Sequence, residues 1–213
     1  MQRLRVSFSR GDELKFLSHL DLMRLWERAF RRAGLALAYS EGFSPHPRIS
    51  LAAPLSVGMT SQAEVMDVVL YRWMSPHAFT SQVAGQLPEG VVIEEVNPVG
   101  ISEPSLQARV RFAEYQVEVE TTKSIPEIES AIQSLLEVKE FPWQHQRDTG
   151  LHRYNLRPLI DEIWIIDQQA SWCTLGMRLR CGSSGAGRPE QVTNAIGLPQ
   201  RPRTIHRTRL ILS

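Results

Sequence analysis

The chain has 213 residues, 42% of them hydrophobic, a formal net charge of +1 and two cysteines. That is enough apolar mass for one large or two small cored domains, and no run approaches the roughly 20 uncharged apolar residues of a membrane-spanning helix. The opening MQRLRVSFSRGDELKF is interrupted by arginines and lacks the apolar core of a secretion signal, so a cytoplasmic protein without a membrane partner is expected.

In chain order, Leu4, Val6 and Phe8 alternate with Arg3, Arg5 and Ser7, which predicts a half-buried strand with its arginines outward. From Ser18 onward, Leu22, Met23, Trp26, Ala29, Phe30 and Ala33 recur at helical spacing. Ser18 with Asp21 has the pattern of a capping box, and Gly34 stands where a left-handed C-cap belongs. Apolar, β-branched runs over 49–55 and 65–73, around SVGMTSQ, predict a hairpin. Ser75 and Pro76 then open a second helix carrying Phe79, Val83 and Leu87, and GVVIEEV reads as a fourth strand.

The aperiodic, proline-containing stretch 99–106 is expected to link a unit over 1–98 to one over 107–213. Beyond it the order repeats. ARVRFAEYQVEVE is a strand whose phase slips between Phe112 and Tyr115, predicting a bulge. A helix capped by Ser124 and Glu127 follows, striped by Ile128, Ala131, Ile132, Leu135 and Leu136. YNLRPLIDEIWIID, partly helical in one reading, and SWCTLGMRLRC supply strands, RPEQVTNAIGL a short helix and TIHRTRLIL a last strand. Two successive β-α-β-β-α-β units with antiparallel sheets predict an α+β fold of tandem ferredoxin-like units.

Cys173, Leu175, Met177, Leu179 and Cys181 share one side of their strand, so both thiols read as core residues. Their spacing matches no metal-ligand motif, and no two of the six histidines stand at i, i+4. No metal and no cofactor is expected to be held by this chain alone.

Charge is unevenly spread. Residues 1–58 carry nine Lys/Arg against five Asp/Glu, 59–140 five against thirteen, and 141–213 ten against five. Basic ends around an acidic middle suit a polyanion, because phosphate neutralisation depends on local charge; mutual attraction of the segments gives the same pattern.

Three stretches are candidate sites. In GFSPHPRISLAAPLSVG, residues 42–58, prolines 45 and 47 hold His46 extended between Phe43 and Arg48. With Lys15, His19, Arg24 and Tyr39 these residues suit a nucleotide, stacking on Phe43 or Tyr39 with charge on Arg48 and Lys15. Were the chain an RNA-processing enzyme, His19 or His46 would be its general base, with Tyr39 or Arg48 steadying the charge. The second stretch, QHQRDTGLHRYNLRP, interleaves Arg147, His152, Arg153 and Arg157 with Tyr154. The third, CGSSGAGRPE, brings Arg188 to a glycine-rich helix start. Plainer readings stand beside these: Asp21 as a cap, Arg28, Arg31 and Arg32 as partners of the helix dipole, Phe43 as a core plug.

Residues 15–58, KFLSHLDLMRLWERAFRRAGLALAYSEGFSPHPRISLAAPLSVG, resemble the signature of the radical SAM-linked protein family, a domain of unknown function found beside or fused to radical SAM enzymes. The likeness continues through YNLRPLI and GRPEQV to IHRTRL. It implies a radical SAM enzyme as partner and, through RNA metabolism, RNA as a second one, with no activity of the chain's own established. The function expected is therefore a nonenzymatic RNA-binding or substrate-presenting accessory protein; an RNA-processing enzyme or a pure protein-interaction module are the alternatives. Relatives commonly carry asparagine where Ser44 stands and aspartate where Asn155 stands, and Asn155 cannot transfer a proton as a carboxylate would.

Overall fold

The computed structural model describes residues 1–147, 150–169, 171–182, 185–199 and 201–213. The alternation of the opening residues becomes β1 (Gln2–Arg10), with Leu4, Val6 and Phe8 wholly buried on one face. After a 3-10 turn at Asp12–Leu14 comes α1 (His19–Arg32), where the Asp21 N–H donates to Ser18 Oγ at 3.2 Å as an N-cap should. Gly34 follows with φ 68, the left-handed conformation only glycine adopts freely. Then come β2 (Ile49–Leu51), β3 (Thr60–Leu70), α2 (Pro76–Ala84), β4 (Val91–Val99) and the short α3 (Leu106–Arg109). The four strands lie in the order β2-β3-β1-β4, each pair antiparallel.

What fixes the helices to this sheet is a run of aromatic contacts. Phe8 of β1 meets Trp26 of α1 edge-on with centroids 4.9 Å apart; Trp26 is 5.3 Å from Phe30, and Phe30 is 5.7 Å from Phe79 of α2. All four are wholly buried, each contributing on the order of 1.5–3 kcal/mol by leaving water.

Arg3 and Arg5 occupy the face of β1 away from Phe8, as the alternation predicts, but they do not reach into solvent. Both donate to the buried Asp67 of β3, Arg3 Nε and Arg5 Nε each at 2.9 Å, so the arginines satisfy a carboxylate that would be costly to bury alone. Arg10, next on the core face after Phe8, is buried too, and donates to the carbonyls of Leu14, Lys15 and Leu17. The first hairpin is also shorter on one side than its apolar runs suggest. β2 ends at Leu51, the Ala52 N–H still reaching Val65 O at 2.8 Å, and Pro54, which has no N–H, could not extend a ladder further; β3 starts at Thr60 and stops before Tyr71–Trp73.

The chain divides into two compact units, Met1–Val110 with Leu212–Ser213, and Arg111–Ile211. The second contains, but for the first residue of β5 and the last of β11, β5 (Val110–Glu120), α4 (Ile125–Glu137), β6 (Pro142–Arg147), β7 (Gly150–Asn155), β8 (Ile160–Gln169), β9 (Trp172–Gly182), β10 (Gly185–Ala186), α5 (Pro189–Ala195) and β11 (Thr204–Leu212). Its sheet runs β8-β9-β5-β11, with β10 also on β9, while β6 and β7 pair only with each other. Setting that hairpin and β10 aside, the second unit repeats the strand order of the first. The described residues thus form a mixed, mostly antiparallel α/β fold of eleven strands and five helices.

Cys173, Leu175, Met177, Leu179 and Cys181 of β9 are all buried, as are Ile128, Ile132 and Leu135 of α4, whose Ser124–Glu127 capping box is formed. The bulge expected in β5 is absent from its pairing with β9, which runs in unbroken register from Phe112 to Glu120. Ala113, Tyr115, Val117 and Val119 keep one buried phase; Phe112 faces the other way, under the Arg180 guanidinium at 6.0 Å. The stretch YNLRPLIDEIWIID, read as one strand or a partly helical one, is the end of β7, a 3-10 turn at Arg157–Leu159 and β8, so its helical part is that single turn.

Candidate nucleic-acid interface

The proline-stiffened stretch is the tip of a small backbone hairpin. Ser40 N–H donates to the His46 carbonyl at 2.9 Å, His46 N–H returns to Ser40 Oγ at 3.0 Å, and Tyr39 bridges to Pro47. Its base is closed by three bonds in a ring: Ala38 N–H to Val69 O, Val69 N–H to Arg48 O and Arg48 N–H to Ala38 O, at 2.8, 3.0 and 2.8 Å. Gly42, with φ 128, turns the chain at the tip, and beside it Phe43 stands wholly in solvent. It plugs no core. Tyr39, His46 and Arg48 are exposed around it.

Arg48 also lines a cleft of about 370 Å³ with Arg3, Ser50, Asp67 and Glu103. Its guanidinium has no carboxylate partner among the described residues; its contact is Met1 Sδ at 3.9 Å. Arg3, by contrast, is spent on Asp67 and on the carbonyls of Glu103 and Pro104.

The turn before α1 is held from below by the bonds of Arg10 to three of its carbonyls, and Gly58 N–H adds another, to the Lys15 carbonyl at 2.7 Å. Lys15 Nζ pairs with Asp12 at 2.9 Å and lies over the exposed Phe16 ring at 5.6 Å, so its charge is partly committed. His19 opens α1 half-buried, its Nδ1 enclosed with no hydrogen-bond partner among the described residues. Asp21 accepts from Ser18 Oγ at 2.7 Å and from Arg24 at 3.4 Å; the serine bond chiefly, then the arginine, hold its carboxyl below the usual carboxylate range. Arg24 opens onto a groove shared with Arg28 and Arg32.

In the second unit, β6 and β7 place Trp143 opposite Tyr154 and Gln144 opposite Arg153. With Glu140, Pro142 and Asn155 these line a cavity of about 450 Å³. Arg153 is exposed there, while Tyr154 OH donates to Gln191 Oε1 at 2.5 Å. Arg157 has a different task. Its Nε and one terminal nitrogen reach the Leu136 carbonyl at 3.1 and 3.0 Å and the other reaches Ile160 O at 2.7 Å, so it caps the end of α4. Asn155 is likewise tied, its Oδ1 accepting from Phe141 and Arg157 N–H groups. Arg188 is the exposed residue before α5, a helix of seven residues; Ser183, Ser184 and the Arg147 side chain lie outside the described residues.

Two aromatic features escaped the sequence reading. Trp143 sits in a short strand with no period, and Tyr71-Arg72-Trp73, read as strand, is an exposed aromatic–basic–aromatic run at the end of β3. The available signal was the Ser75-Pro76 helix start, which leaves those residues in a connection. Among the described residues no three His, Cys, Asp or Glu side chains gather as a metal set, and no helix is long and apolar enough to cross a membrane.

A family model described as an uncharacterized protein conserved in bacteria, DUF2344, matches residues 3–189. The chain belongs to the DUF2344 family. The matched span takes in the Phe43 hairpin, the arginine face of α1 and the Trp143–Tyr154 cavity. No curated protein matches the DUF2344 chain. Among solved structures, one chain in a crystal structure of a Cbf5-Nop10-Gar1 complex is similar, with a TM-score of 0.50 and 11% identity. The likeness covers 98% of the DUF2344 chain and 48% of that chain, so the DUF2344 chain spans about half the length of its structural relative. At that identity the likeness concerns the fold alone.

Proposed function

We propose that this DUF2344 chain, built on two ferredoxin-like units, is a nonenzymatic RNA-binding or substrate-presenting accessory protein. It works with a radical SAM enzyme in cytoplasmic RNA modification or metabolism. The observation that carries the reading is Phe43, 112% exposed at the tip of a backbone-bonded hairpin and flanked by Tyr39, His46 and Arg48. Holding an aromatic ring in water gains nothing for folding, whereas a base stacking on it is worth about 1–3 kcal/mol, and the tied backbone means little freedom is lost on binding. Arg48, without a carboxylate partner among the described residues, is free to take a phosphate. The enzyme partner rests on the resemblance of residues 15–58, and the redox cofactor in this arrangement belongs to that enzyme.

The test is binding of the full chain to labelled single-stranded RNA across a salt series. Affinity should fall linearly with salt on logarithmic axes, and Phe43→Ala should lower it roughly 5- to 150-fold. Absence of binding even at low salt overturns the RNA reading. Co-purification with the radical SAM enzyme that survives nuclease treatment supports the partnership; its loss on nuclease treatment reduces the link to an RNA bridge.

A further inference from the structure

One helix face remains unexplained by folding. Arg24, Arg28 and Arg32 stand at i, i+4 and i+8 on α1, one turn apart, and line one wall of a groove of about 690 Å³. Its other lining includes Leu25, Leu87 and Pro88. Successive guanidinium bases are thus about 6 Å apart along the helix axis. Like charges at this spacing cost a few tenths of a kcal/mol per pair, about 0.2–0.5, and among the described residues nothing offsets it for all three.

The helix dipole explains only part of the pattern. A cation gains from the dipole within the last turn, where Arg31 and Arg32 lie; Arg24 is the sixth of fourteen residues and Arg28 the tenth. Ion pairing explains less. Asp21, also on the groove, pairs with Arg24 at 3.4 Å, and Arg32 is held at the mouth by donating to the Gln86 carbonyl. Arg28, between them, makes no ion pair or hydrogen bond among the described residues. Three guanidinium groups at one-turn intervals over an apolar floor match successive phosphates of an extended strand, with bases or sugars against Leu25, Leu87 and Pro88.

We infer that this groove is the phosphate track for single-stranded nucleic acid, engaging consecutive phosphates through Arg24, Arg28 and Arg32. This rests on the RNA-binding reading above and gives it a second surface, made of residues other than the Phe43 hairpin.

The experiment measures binding of the full chain to a fluorescein-labelled oligouridylate between about 50 and 200 mM salt. Removing one phosphate contact from a single strand reduces the log–log salt slope by about 0.7, so Arg28→Gln should lose about that and the triple Gln variant about 2. Arg31→Gln, the same charge change on the same helix outside the groove, should leave the slope unchanged. The triple Lys variant should keep the wild-type slope, since it keeps the charge. Wild-type binding with an unaltered slope in the triple Gln variant overturns the phosphate track and leaves the RNA reading standing. A slope loss equal in Arg31→Gln and Arg28→Gln, or as large in the triple Lys as in the triple Gln variant, also overturns it. No binding by wild type overturns both.

Discussion

The Trp164 indole of β8 lies against Gly176 of β9, its partner in the ladder; a Cβ at position 176 would stand 2.0 Å from Trp164 Cε2. Glycine ordinarily weakens a strand interior, and here its bare backbone is the seat of the ring. Gly176→Ala should therefore evict the indole and destabilise the protein by about 1–3 kcal/mol, lowering Tm by about 2–4 °C per kcal/mol. Denaturant unfolding measures it, and the cost should shrink in a Trp164→Ala background because the clash has lost one partner. Equal costs in both backgrounds would show that the ring is not the cause.

Arg157 tests a second structural claim. Its guanidinium serves Leu136 O, one of the carbonyls that the end of α4 leaves without a helical partner, and Ile160 O where β8 begins. Hydrogen bonds to a charged group contribute about 1.5–3 kcal/mol, so Arg157→Gln should lose stability of that order. Lysine should recover only part, because an ammonium cannot reproduce the fork that spans two carbonyls. The salt slope of RNA binding should stay at the wild-type value. A slope change with unaltered stability would return Arg157 to the candidate interface.

The contrast between Arg157 and Trp26 shows what the sequence made legible. Trp26 belongs to a six-residue apolar stripe at helical spacing, and periodicity alone places it in a core. The alternation from Cys173 to Cys181 did the same for β9. Arg157 has no periodic neighbours; whether its charge meets carbonyls or water depends on the end of α4, twenty-one residues earlier in the chain. Phe43 shares the difficulty, since a lone aromatic among prolines has the composition of either a core plug or an exposed tip, and the Ser40–His46 bonds decide between them. Arg10 was readable in principle: it continues the phase of Leu4, Val6 and Phe8, so the pattern itself buries it. The β6–β7 hairpin was not, because neither strand alternates.

Acid should loosen both capped helices by the same mechanism. Ser18 and then Arg24 hold the Asp21 carboxyl below its ordinary value, and Ser124, through its hydroxyl and its backbone N–H, does so for Glu127. A carboxylate whose pKa is depressed by folding contributes stability above its unfolded value, about 4, and loses it as pH falls through the folded one. Wild type should therefore be more stable than Glu127→Gln near neutrality, with the gap closing below about pH 4. Thermal melts of both proteins across that range provide the measurement. A gap that persists unchanged into acid would mean the ionised form is not what the cap favours.

The Phe43 hairpin predicts a separation of stability from binding that a core aromatic cannot show. Phe43 has no buried surface to lose, so Phe43→Ala should change unfolding free energy by no more than about 0.5 kcal/mol, where Trp26→Ala should cost about 3–5 kcal/mol. Ser40→Ala sits between these cases. It removes the acceptor for His46 N–H, worth about 0.5–1.5 kcal/mol, and lets the tip move without touching the ring. If preorganisation contributes to RNA affinity, Ser40→Ala should weaken binding while Phe43 remains in place, and less than Phe43→Ala does. Affinity lost in Phe43→Ala together with a large fall in Tm would instead make the ring part of the fold, because an aromatic that only receives a base has no reason to matter when none is bound.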